Sequence, residues 1–281
     1  MAEVVLEAEN LRKVFRLRAR SQGPDEIVAV DDLSFSLAEG ESLAVVGESG
    51  SGKTTLARML VGLERPTSGR ITFAGHDRSS PARTASERRR RGRETQMVFQ
   101  DPYSSLDPRQ TPASSIEEVL HLHFRSDRAT RAARVAELAE QVGLDGRQLN
   151  ALPRRLSGGQ RQRVAVARAL AAEPRVLLLD EAVASLDVSI QAQILNLLAD
   201  IRAATGISYV VISHDLGVVR QITDAAIVMQ RGVVVERGPT ADVLHHPHHP
   251  YTQLLRSSVP APGWKPARRD RSGQPSDAGA S

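Results

Sequence analysis

The run Gly47-Glu48-Ser49-Gly50-Ser51-Gly52-Lys53-Thr54-Thr55 restricts this chain more than any other stretch of it. It matches G-x-x-x-x-G-K-[ST] in full and lies between a short apolar segment, Ser42–Val46, and a helical pattern beginning near Lys53. Glycines there let the backbone wrap closely around phosphate oxygens, with amides converging at a helix N-terminus. Lys53 supplies a positive charge for β- and γ-phosphates, and the Thr54 hydroxyl is a ligand for Mg²⁺. A turn that merely joined a strand to a helix would need neither Lys nor Thr in this register. Composition sharpens the point, because lysine occurs only at Lys13, Lys53 and Lys265 among 37 basic residues. A chain so biased toward arginine keeps an ammonium where a compact point charge is useful.

A second element fits the first. Val176-Leu177-Leu178-Leu179-Asp180-Glu181 reads as an apolar strand ending in two carboxylates. Acids at the C-terminal edge of a sheet strand face the crevice where ligands bind in open α/β folds. Asp180 is expected to hold the Mg²⁺ shell, and Glu181 to accept a proton from an attacking water. A third element, Leu156-Ser157-Gly158-Gly159-Gln160, has the form of a capping box, with Ser157 at the N-cap and Gln160 three residues on. Its glycines leave a bare helix N-terminus, a natural place for an anion.

Around these motifs the chain alternates. Strands are expected at Val4–Leu11, Val28–Leu37, Arg70–Ala74, Gln96–Phe99, Ile207–Ser213, Ala225–Met229 and Val233–Arg237. Gly23-Pro24 marks a hairpin loop between the first two. Helices are expected over Ser157–Ala172 and Ser189–Ala204, the latter with Ile190, Ile194, Leu197, Leu198 and Ile201 on one stripe. Residues 101–155 read as a helical insert, with Val135, Leu138 and Val142 on one face. From Pro260 the composition is that of a disordered tail.

Several classes are disfavoured. There is no cysteine, hence no thiolate metal site, iron–sulfur cluster or disulfide framework. The first residues are acidic and lack the pattern of a signal peptide. No apolar run approaches the roughly 18–20 residues needed to cross a bilayer. The run Arg88–Arg91 is compatible with nucleic acid, but a solvated helix face is the simpler account at a net charge of +4.

Taken in order, these motifs resemble the ABC ATPase family over about Leu6 to Pro260. LSGGQ, followed by Arg161-Gln162-Arg163, is similar to that family's signature. The resemblance implies an α/β P-loop NTPase with a RecA-like, mostly parallel core, an N-terminal antiparallel β subdomain and an inserted helical subdomain. It implies a single domain over 1–260, with core residues 1–100 and 156–240, helical residues 101–155, an extension at 241–260 and a tail at 261–281. It also implies that Phe15 stacks on adenine, that Gln100 ligates Mg²⁺ at the joint with the helical part, and that Gln100 and His214 assist Glu181 in catalysis. Ser157, Gly158, Gly159, Gln160 and Asp187 would contact ATP bound to a second ATPase subunit, identical or paralogous, in a head-to-tail dimer. Many relatives have Pro-Thr-Ser-Ala after the paired acids, where this chain has Ala182-Val183-Ala184-Ser185.

Gln100–Arg109 and His249-Pro250-Tyr251-Thr252-Gln253-Leu254-Leu255 are similar to the oligopeptide/dipeptide importer group. That resemblance implies docking on a transmembrane permease at the cytoplasmic face of the membrane, through a groove that includes Tyr103 and Leu106. An extracytoplasmic solute-binding protein would serve the same system. The solute would be a peptide, or alternatively nickel, glutathione or an oligosaccharide. A soluble ATPase acting on nucleic acid or ribosomes is the other class, usually marked by paired cassettes or long insertions that are not evident here.

Overall fold

The computed structural model describes residues 3–16, 26–101 and 105–257. Most of the expected hairpin loop, Tyr103 and the expected tail lie outside the described residues. The core is a six-stranded sheet in the order β10-β9-β3-β8-β7-β6. Its strands are β3 (Ser42–Val46), β6 (Thr95–Val98), β7 (Val176–Asp180), β8 (Ser208–Ser213), β9 (Ala225–Gln230) and β10 (Val233–Pro239). Every neighbouring pair runs parallel except β9 with β10. Each residue of β3, β7 and β8 is buried. That is why these strands read as continuous apolar runs rather than alternations: helices and a second sheet cover both faces.

The second sheet, β2-β1-β4-β5, is antiparallel. It comprises β1 (Val4–Arg16), β2 (Glu26–Ala38), β4 (Ser68–Phe73) and the two-residue β5 (His76–Asp77). Leu6, Leu11, Leu33, Leu37, Ile71 and Phe73 from this sheet pack with α1 (Lys53–Leu60) and with the sheet residues Val45, Leu178 and Ile212 in one apolar core. The expected strands are present, with β1 and β2 longer than anticipated.

Residues 112–150 fold into α3 (Pro112–His123), α4 (Arg128–Gln141) and the short α5 (Gly146–Asn150). Each starts on a side chain that accepts an amide hydrogen: Thr111, Asp127 and Asp145. Val135, Leu138 and Val142 are buried as their spacing required. They belong to a core that continues through α6 (Gly158–Leu170) to β7 and to α7 (Val188–Thr205). Leu106 is buried in the same core, 5% exposed, so it does not line an open groove as expected; its apolar side chain is already satisfied within the fold.

The arginine run lies on α2 (Ala85–Glu94), which buries no residue. Arg91 turns back to Glu87 and to the Ser80 carbonyl, while Arg88, Arg89 and Arg90 face solvent. A helix not anticipated, α8 (Leu216–Ile222), begins at Asp215, whose carboxylate accepts from the amides of Gly217 and Val218. The C-terminal region adds α9 (Thr240–His245) and α10 (Pro250–Ser257). Among the described residues no helix is long and apolar enough to cross a membrane.

Candidate nucleotide-binding site

The sheet registers bring distant motifs to one edge. Val46 pairs with Ser213, Asp180 with Ile212, and Val98 with Leu179. Gly47, His214, Glu181 and Gln100 therefore emerge side by side from the C-terminal ends of four strands, the usual ligand crevice of an open α/β sheet. A cleft of about 550 Å³ opens there, lined by the loop residues Ser49, Gly50, Gly52, Lys53, Thr54 and Thr55 and by Gln100 and Glu181.

Two glycines make the loop possible. Gly52 has φ 103°, and a Cβ there would strike the Ala29 carbonyl; at Gly47 it would strike the carbonyl of Met229. The loop is thus pressed against β2 at Gly52 and β9 at Gly47, with no room for a side chain at either position. Lys53 is 4% exposed, and its Nζ donates to the carbonyls of Gly47 at 2.7 Å and Glu48 at 2.8 Å. Burial pulls the Lys53 ammonium below its ordinary value, against the opposing pull of Glu181, Asp180 and Glu48. A desolvated cation whose hydrogen bonds go to two carbonyls, with Ser51 Oγ buried and unpartnered close by in the same loop, is a site prepared for an anion.

Opposite the lysine stand the two carboxylates. Asp180 is 6% exposed and its Oδ1 has no hydrogen-bond partner. Burial, reinforced by neighbouring Glu181, pushes its carboxyl above the usual range. Glu181 is gripped from two sides: Gln100 Nε2 donates to Oε2 at 2.9 Å, and His214 Nδ1 lies 3.2 Å from Oε1. Its backbone sits at φ 48°, a left-handed conformation that costs a non-glycine residue about 1–2 kcal/mol. The Glu181 amide is tied to the Ile212 carbonyl at 2.9 Å.

These residues fit a magnesium ion. The orphaned buried oxygen of Asp180, the exposed Thr54 hydroxyl and the Gln100 amide form an all-oxygen donor set of the kind Mg²⁺ prefers. Among the described residues no group of three or more His, Cys, Asp or Glu side chains could hold a metal alone. An ion bound here therefore needs further oxygens from phosphates or water.

The turn after the carboxylates, Ala182-Val183-Ala184-Ser185, is closed by its own backbone hydrogen bonds. Ala184 N–H donates to the Glu181 carbonyl at 3.0 Å and Leu186 N–H to the Val183 carbonyl at 3.2 Å, while Ala182 and Val183 sink into the core.

Other expected residues lie elsewhere. Ser157 and Gln160 form the anticipated capping box, with Gln160 N–H to Ser157 Oγ at 3.2 Å and Ser157 N–H to Gln160 Oε1 at 2.8 Å. Gly158 packs toward Leu186 and Gly159 toward Ile190 on α7, for which Asp187 is the N-cap residue. None of these five residues lines the cleft. Nor does Phe15, which stands opposite Ile27 with the Lys13 ammonium 4.8 Å from its ring centre. At 37% exposed it is not a core residue either. Ile27, Val28, Ala29 and Arg231 line the cleft and were not anticipated. A signal existed for the last: Arg231-Gly232, both at positive φ, form the tight turn between β9 and β10.

A mostly parallel sheet carrying a phosphate loop and paired carboxylates at one edge defines a P-loop nucleotide-binding protein. Residues 30–184, more than half of the chain, match the family described as ABC transporter, and residues 235–280 match the oligopeptide/dipeptide transporter C-terminal region. The chain belongs to the ABC transporter family, as one of its ATP-binding cassettes.

Among its relatives, the glutathione import ATP-binding protein GsiA of Escherichia coli K12 is 47% identical over 92% of this chain. The match covers 41% of that relative, so this chain spans less than half of its length. A putative peptide import ATP-binding protein of Brucella abortus is 45% identical over 92% of this chain and 77% of its own. The dipeptide transport ATP-binding protein DppF of Haemophilus influenzae is 44% identical over 84% and 72%. A solved dimeric ATP-binding cassette in a post-hydrolysis state, bound to ADP and Pi, superposes with a TM-score of 0.74 at 29% identity, covering 84% of this chain and 98% of that one.

Proposed function

We propose that this chain is the ATP-binding and ATP-hydrolysing subunit of an importer of short peptides, with glutathione as the alternative cargo. What supports the chemistry is the placement of Glu181, oriented by Gln100 and His214 across the cleft from Lys53. In this reading the loop amides and Lys53 take the β- and γ-phosphates, the ammonium exchanging its two carbonyls for phosphate oxygens. Asp180, Thr54 and Gln100 would hold Mg²⁺, which supplies electrostatic stabilisation of charge on the phosphates. Glu181 accepts the proton of the attacking water, and the flanking amide and imidazole hold its carboxylate still while it does so. Phe15 and the cleft-lining Ile27 provide the apolar edge for the base.

The capping box at Ser157, its two glycines and Asp187 would complete the γ-phosphate site of a second ATPase subunit. Their absence from this chain's own cleft, and the dimeric state of a solved relative, support that arrangement. The peptide assignment draws on the names of the import relatives and on the matched C-terminal region. A permease would carry the solute, with this chain docked peripherally on the cytoplasmic side and an extracytoplasmic binding protein delivering cargo.

One experiment tests both levels. In a strain lacking the gene, the wild-type chain should restore uptake of labelled short peptides and Glu181→Gln should not. The purified variant should bind ATP normally and hydrolyse it some 10²–10⁴ times more slowly. Wild-type turnover by Glu181→Gln would remove the glutamate from its role. Normal peptide uptake by the deletion strain would remove the peptide assignment and leave the motor.

A further inference from the structure

The C-terminal region reaches back to the phosphate loop. The Tyr251 hydroxyl, at the start of α10, accepts a hydrogen bond from the Glu48 amide at 2.9 Å, across 203 residues of chain. The same peptide group presents the Gly47 carbonyl to Lys53 Nζ at 2.7 Å. A trans peptide is planar, with its N–H and C=O pointing in opposite directions. Hydroxyl and ammonium therefore grip one peptide group from its two ends, and bonds chained through one amide strengthen each other. The next carbonyl, of Glu48, accepts from Lys53 Nζ at 2.8 Å and from the Ser51 amide at 3.2 Å.

The tyrosine is held as firmly as the loop. It is 6% exposed, and its ring closes a small core with Val46, Val228 and Val243. Its own amide donates to His249 Nδ1 at 3.2 Å. The approach to α10 is pinned by Glu236 on β10, whose carboxylate accepts from the amides of His248 at 2.8 Å and His249 at 3.1 Å. Glu236, His248, His249 and Tyr251 all fall within the matched C-terminal region. Burial pushes the Tyr251 hydroxyl above its ordinary value, so it stays neutral.

We propose that Tyr251 is a positioning residue for the nucleotide site: by fixing the Gly47–Glu48 peptide it presets the phosphate loop, and makes the C-terminal region a determinant of ATP affinity. The inference rests on the reading of this cleft as the ATP site. When Lys53 leaves the Gly47 carbonyl for phosphate, that peptide loses one of its two anchors. The tyrosine hydroxyl is the anchor that remains, and it prevents the peptide from rotating into the space the phosphates need. Tyr251 does not line the cleft or touch Glu181, so its effect falls on binding and not on the hydrolytic step.

The test uses the full chain. Tyr251→Phe removes one hydroxyl and keeps the ring. It should raise the ATP Kd measured by calorimetry, and the KM, about five-fold, the worth of one net hydrogen bond, with kcat almost unchanged. Hydrogen exchange at the Glu48 amide should accelerate in the same variant. Unchanged KM and an equally protected Glu48 amide overturn the proposal, as does a fall in kcat at constant KM. If Tyr251→Phe does not fold, Glu236→Ala decides instead, because it frees the approach to α10 while keeping the hydroxyl: a raised KM supports the proposal and an unchanged one overturns it. Lys53→Ala separates the two readings. ATP binding that survives Lys53→Ala overturns the cleft assignment itself, whatever Tyr251 does.

Discussion

At the scale of single residues, Asp180 shows what a prepared site costs. Its carboxylate is buried beside Glu181 with one oxygen unpartnered. Folding raises its pKa, so the folded chain holds this proton more tightly than the unfolded one, and stability falls as pH climbs from the ordinary carboxylate value toward the folded one. Asp180→Asn should therefore be more stable than wild type at neutral pH without divalent cations, by about 0.5–2 kcal/mol, and melt higher, while losing hydrolysis. The gap should close below the ordinary value of about 3.9, where the aspartic acid is neutral as well. Thermal melts across pH check both statements; an Asp180→Asn variant no more stable than wild type at neutral pH would mean the carboxylate is not under strain. Asp180, Glu181 and Lys53 were legible from the chain because each is fixed by its position after an apolar run or inside a glycine pattern. Ala29 was not, and for Arg231 the Arg-Gly pair marked only a turn, not a place in the cleft. They reach the cleft because Gly52 and Gly232 lie against the β2 backbone, contacts between parts of the chain far apart in sequence.

At the scale of elements, the start of α6 carries a sharper test than its capping box does. A Cβ on Gly158 would meet Leu186 Cδ2 at 3.4 Å, an ordinary contact, whereas one on Gly159 would meet Ile190 Cγ2 at 2.5 Å. Ile190 is β-branched and stiff, so the clash cannot be relieved by a simple rotation. Gly159→Ala should destabilise the chain by about 1–3 kcal/mol, and Gly158→Ala by little or even the reverse, since alanine favours the helix. Urea unfolding of the two variants measures the difference; equal midpoints would mean that α6 and α7 pack less closely here than described. Strand β7 was readable because four apolar residues run straight into two acids. Helix α8 is only seven residues long and its sole mark was Asp215, a cap that also reads as a strand-end acid. The ends of β1 and β2 were missed because exposed pairs such as Phe15 with Ile27 carry no burial pattern to mark them.

At the scale of the whole molecule, the separation of the α6 N-terminus from the chain's own cleft is what the proposed two-subunit site rests on. A Lys53→Ala chain mixed with a Ser157→Arg chain should recover hydrolysis that neither shows alone, because both lesions fall in one composite site and the other stays intact. Turnover of purified mixed dimers measures this, with up to about half of wild-type activity expected if the two sites act independently. A dead mixture would place the capping box in the service of its own chain, or require a paralogous partner. The left-handed backbone at Glu181 carries a consequence on a longer timescale. Glycine occupies φ 48° freely, and glutamate and glycine codons differ by one base. In any duplicate gene relieved of the need to turn over ATP, this position is biased by physics toward losing its carboxylate, because the first step of decay also relaxes the fold. A cassette silenced in that way would shed its backbone strain along with its carboxylate, and a pair of the proposed composite kind would drift toward one working site and one retired one.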